Sequence, residues 1–68
     1  MVSRAEVLIA LRQIDRPVTP LILATYMGKS AAHVGDILRT LYFMQKVGRI
    51  AIPGRSKRYQ YYPAGVLH

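Results

Sequence analysis

Between residues 15 and 30 the chain carries three interruptions to regular structure: D-R-P at 15–17, T-P at 19–20 and M-G-K-S at 27–30. The residue before a proline disfavours helix, and proline lacks the N–H that a continuing helix would donate, so D-R-P ends whatever precedes it. Thr19 offers a side-chain oxygen as N-cap, and Pro20 takes the first helical position, where a missing N–H costs nothing. Gly28 tolerates the positive φ at which helices end. A helix in this region is confined to Pro20 to Met27, with Val18 available for a short strand ahead of it.

The flanking segments read as two further helices. Ser3 and Glu6 form an S-x-x-E capping box before Val7, Leu8, Leu11 and Ile14, which recur at helical spacing and predict a helix from Arg4 to Ile14. Ser30 offers the next N-cap. Val34, Ile37, Leu38, Leu41 and Met44 then predict a third helix to about Lys46, ended by Gly48. Two segments of alternating polarity follow, Arg49 to Pro53 and Arg58 to Tyr62, joined by the turn G-R-S-K-R, which predicts a β-hairpin. Ile50 and Ile52 share one face of the first strand, and Tyr59 and Tyr61 share one face of the second. These four are expected to close the open side of the helices.

The fold class expected is therefore α+β: a three-helix bundle with a C-terminal β-hairpin of two strands, or three with Val18, in one unit spanning residues 1–68. A chain of 68 residues buries only about 60% of the surface its unfolded form exposes, so a large catalytic cleft is not expected. With no cysteine, disulfides and thiolate metal sites are excluded, and the composition fits a reducing, intracellular setting. No apolar run approaches the ~20 residues that a membrane span needs. The formal net charge is +7, and seven basic residues against one acidic residue follow Gly28. That excess makes a polyanion the first partner to consider.

The segment P-L-I-L-A-T-Y-M-G-K-S-A-A-H-V-G-D-I-L-R-T-L has a small residue, Ala24, where two helices would approach, a turn glycine, Gly28, four residues later, and aliphatic Val34 and Ile37 beyond it. With the helix before it and the basic hairpin after it, the chain resembles a winged helix-turn-helix domain of the small bacterial or phage regulator type. It departs from that pattern at Lys29, where an apolar residue is usual. The resemblance implies sequence-specific binding of double-stranded DNA, in transcription regulation, with the third helix in the major groove and the hairpin on phosphates or in a minor groove.

On that reading the groove face comprises Lys29, Ser30, Ala31, Ala32, His33, Gly35, Asp36, Arg39 and Thr40. Ala31, Ala32 and Gly35 are small enough for deep entry, and they also serve as plain helix fillers. Arg39 can fork onto guanine O6 and N7. Lys29 and Ser30 sit at a helix N-terminus, suited to phosphate. Asp36 fits least well: phosphates repel it unless it accepts from cytosine or pairs with Arg39 at i, i+3 spacing, and the pairing is the preferred expectation. In the wing, Arg55, Ser56, Lys57 and Arg58 are the phosphate candidates. Tyr42, Tyr59, Tyr61 and Tyr62 have the chemistry to stack on bases, but interleaved with aliphatics they are read as structural.

No catalytic constellation, metal-ligand set or cofactor motif emerges, so the chain is expected to be a non-enzyme without cofactor, metal or small-molecule substrate. Double-stranded DNA is the expected partner, with a homodimer or partner regulator built on Val2, Tyr62, Val66 and Leu67, and the expected location is cytoplasmic and nucleoid-associated. The other reading is a winged-helix adaptor that docks on a protein and binds nucleic acid weakly, if at all.

Overall fold

Capping chemistry sets the helix starts. In the computed structural model, which describes residues 2–54 and 58–64, the Ser3 hydroxyl accepts the Glu6 N–H at 3.1 Å and begins α1 (Arg4–Ile14). Thr19 likewise accepts from the Ile22 N–H at 3.2 Å ahead of α2 (Pro20–Met27). Ser30 takes the N-cap position of α3 (Ala31–Phe43) with an extended backbone, yet its side chain makes no capping hydrogen bond. Two strands complete the order, β1 (Val47–Ala51) and β2 (Tyr59–Pro63), so three helices precede a two-stranded antiparallel sheet.

All three helices end at a left-handed residue: Asp15 at φ 58°, Gly28 at φ 68° and Gln45 at φ 62°. After α2, the Gly28 N–H reaches the Thr25 carbonyl and the Lys29 N–H the Ala24 carbonyl; after α3, the Gln45 N–H reaches Tyr42 and the Lys46 N–H reaches Leu41. Both are Schellman endings, which satisfy carbonyls the helix leaves free. Helix α3 therefore stops at Phe43, and neither Lys46 nor Gly48 closes it, contrary to the sequence expectation. Met44, part of the apolar spacing that predicted the helix, lies past its end and is exposed.

Gly48 belongs to β1, opposite Tyr62. A Cβ added at Gly48 would collide with the Tyr62 ring, which covers the bare backbone. Gly48→Ala is expected to lower stability by about 1–2 kcal/mol, because overpacking displaces the ring. Urea denaturation checks this against Tyr62→Ala and the double variant. The double should be no less stable than Tyr62→Ala, and full additivity would refute the clash.

β1 begins two residues earlier than expected and β2 one later, with Arg49 opposite Tyr61 and Ala51 opposite Tyr59. Alternation then places Val47, Arg49 and Ala51 on the face of Tyr59, Tyr61 and Pro63, and turns Ile50 to the other face, where it is exposed. Of the four residues expected to close the helices, Tyr61 lies in the core and Tyr59 packs against it, whereas Ile50 is exposed and Ile52, half-buried beyond β1, is not in the core; Val47 and Pro63 complete the closure. Val18 adds a third, single-residue strand. Its N–H and carbonyl both bond Tyr61, at 3.0 and 2.7 Å, so β2 lies between Val18 and β1.

The core joins Val7, Ala10 and Leu11 of α1, Leu23 and Ala24 of α2, and Val34, Leu38 and Leu41 of α3 to Val18, Val47 and Tyr61. Val2, expected at an interface, packs on this core instead, and Tyr62 is half-buried over Gly48. Val66 and Leu67 lie outside the described residues. Among the described residues no helix is long and apolar enough to cross a membrane.

Candidate nucleic-acid interface

Three positions one turn apart on α3, Ala31, Gly35 and Arg39, line a groove of about 690 Å³ that is closed on one side by the start of α2 and on the other by the hairpin. Gly35 faces Pro20 where the two helices meet. A Cβ there would sit 3.7 Å from the Pro20 Cβ, an ordinary contact, so an alanine would also fit. The hairpin contributes Arg49, Ile52, Arg58, Tyr59 and Tyr61 to the same groove.

Arg49 is the residue that sequence reasoning missed. Its guanidinium carbon lies 3.9 Å from the Tyr42 ring centroid and 4.0 Å from that of Tyr59, so aromatic rings flank the cation. Each such contact attracts the cation through the ring quadrupole. The Arg49 pKa is raised above its ordinary value, chiefly by the Tyr61 hydroxyl beside it, so the group is a permanent cation. Tyr42 and Tyr59 are thus structural in a specific sense: they fix an arginine. The signal was the alternation itself, since Arg49 shares strand parity with buried Val47 and not with exposed Ile50.

The Arg39 Nη2 reaches the Asp36 Oδ1 at 3.4 Å, so the expected i, i+3 pair forms. Both side chains are more than 60% exposed, and a pair this wet contributes little, leaving Arg39 free to exchange Asp36 for another anion. The Thr40 hydroxyl donates to the Asp36 carbonyl at 3.1 Å. Asp36 and Thr40 border a separate shallow depression beside Val2, Ser3 and Arg4, away from the groove. Lys29, Ser30, Ala32 and His33 are exposed but line neither. The predicted recognition residues are therefore spread over more than one side of α3, and the groove gathers Ala31, Gly35, Arg39 and Arg58 of them. Arg55, Ser56 and Lys57 lie outside the described residues.

Among the described residues no group of three or more histidines and carboxylates is placed to hold a metal ion. None of the three carboxylates, Glu6, Asp15 and Asp36, lines the groove, so its charged lining is wholly cationic. Comparison with protein-family models, with curated proteins and with solved structures gives no match to this chain.

Proposed function

We propose that the chain is a winged helix-turn-helix domain that binds double-stranded DNA sequence-specifically and acts as a transcription regulator in the cytoplasm. The observation that carries this reading is the groove: Arg39, Arg49 and Arg58, from α3, β1 and the approach to β2, line one concavity, and the nearest carboxylate is that of Asp36, held by Arg39 in an exposed pair outside the lining. Around it, α3 exposes Ala31 and Ala32, whose small side chains permit close approach to base edges, and Arg39, which can read guanine. Lys29 at the start of α3 and Arg55, Ser56 and Lys57 at the hairpin tip add phosphate candidates. One module makes few base contacts, so specificity calls for a second copy or a partner regulator on neighbouring half-sites.

A salt titration tests this. Anisotropy of a labelled duplex should give a log Kd against log salt slope of about 4, as four or five phosphate contacts each contribute about 0.9. Selection from a random duplex pool should then enrich one sequence. No duplex binding at low salt would defeat the proposal.

A second reading is favoured by one observation. Leu21, Ile22 and Tyr26 are all at least half exposed on the short helix α2, and Phe43 is 72% exposed at the end of α3. Such surface suits a protein-docking adaptor. That reading gains if the salt titration fails.

A further inference from the structure

The groove holds more than a track for phosphates. Its lining is mixed: Pro20, Leu21, Ala31 and Ile52 contribute apolar surface, and Arg39 of α3 with Arg49 and Arg58 of the hairpin contribute the cations. Its volume of about 690 Å³ falls within the roughly 300–1,000 Å³ range of small-molecule sites. Arg49 is held ready there. Tyr42 and Tyr59 stack on the guanidinium and the Tyr61 hydroxyl lies beside it, and of the five N–H donors those not turned to Tyr61 remain to meet the oxygens of a carboxylate or phosphate. Asp36–Arg39 is the one ion pair among the described residues, so neither Arg49 nor Arg58 has an acidic partner there.

We propose that this groove is a binding site for a small organic anion, one phosphate or carboxylate group carried on a body with an aromatic ring, with the anionic group on the Arg49 guanidinium and the ring against Pro20 and Ala31. Arg39 and Arg58 neutralise the remaining charge. A ligand so placed covers the groove wall of α3 and therefore competes with duplex DNA. Only that competition rests on the DNA-binding reading; occupancy of the groove does not.

Direct binding is measured on the full chain by amide chemical-shift titration, with adenosine 5′-monophosphate and benzoate as phosphate and carboxylate probes. Inorganic phosphate serves as the anion without a body, and adenosine as a body without an anion. At least one amphipathic probe should bind ten times more tightly than both controls and shift the amides of Ala31, Gly35 and Tyr59. Comparison of the two probes identifies which oxyanion the site takes. Arg49→Lys keeps the charge but loses the guanidinium, and should weaken binding about tenfold. Should Arg49→Lys lose its native spectrum, Arg39→Gln and Arg58→Gln carry the test, each with an expected loss of about threefold. Equal binding of inorganic phosphate or adenosine, no shift in the groove amides, or full affinity in the folded variants would overturn the site. If the probes bind but do not displace duplex DNA, the site stands and the duplex contact lies elsewhere.

Discussion

Leu38→Ala is expected to remove about 2–5 kcal/mol, a large share of the stability of this chain. Leu38 is fully buried on α3, in the cluster that joins α1, α2 and the sheet. Removing a buried leucine to the β-carbon costs about 2–5 kcal/mol, part from lost transfer free energy and part from the cavity left behind. A 68-residue domain has only about 3–10 kcal/mol in total, at roughly 0.05–0.15 kcal/mol per residue. Urea denaturation followed by circular dichroism should show a large fall in midpoint with the slope unchanged. Leu21→Ala is the internal contrast. It deletes the same atoms from an α2 position that is 65% exposed, and should cost less than about 0.5 kcal/mol. Equal losses for the two leucines would mean that the core is wrongly placed.

Replacing Arg39, Arg49 and Arg58 together by Gln should weaken duplex binding by about 100-fold or more, if each contact is worth roughly 1 kcal/mol, and should lower the salt slope by about 2.7. Replacing Arg4, Arg12 and Arg16 by Gln removes the same charge, taking +7 to +4 in both cases, from residues outside the groove. If the footprint is the groove, the second triple variant keeps most of its affinity. Matching losses would reduce the reading to general attraction between a basic chain and a polyanion. Native circular dichroism must accompany both measurements, because Arg49 also tethers Tyr42 of α3 to Tyr59 of β2.

How much was legible varies along the chain for physical reasons. α1 and α2 follow the sequence reading at both ends, because Ser3, Thr19–Pro20 and Gly28 act locally and declare themselves by residue type. The end of α3 was not legible. Its left-handed residue is Gln45, a type with no preference for that conformation, while nearby Gly48 offered a false stop and is needed for a different purpose, room for the Tyr62 ring. The strand register was misjudged for the same kind of reason. An arginine reads as outward-facing, and only tertiary structure supplies the two tyrosine rings that let Arg49 share a face with Val47 and Tyr61. At the candidate site, Arg39 and Arg58 were found from charge, and the Asp36 pairing from spacing. For Arg49, strand parity with Val47 gave its face, but the pairing of Tyr42 with Tyr59 around it spans seventeen residues and is set by tertiary structure alone.

The placement of β2 between Val18 and β1 bears on how such a chain comes into being. β2 is the last element among the described residues, and Val18 and β1 have no strand to join them until residues 59–63 have been made. During synthesis the residues of all three helices are therefore made before those of β2, and such short helices are marginal until they are packed. Closure then requires Tyr61 to find Val18 across more than forty residues, a separation that slows folding through loop-closure entropy. A message truncated within the hairpin would therefore yield a product that lacks the centre of its sheet, not merely an edge. The cell would meet that fragment as an open core and a substrate for chaperones or proteases.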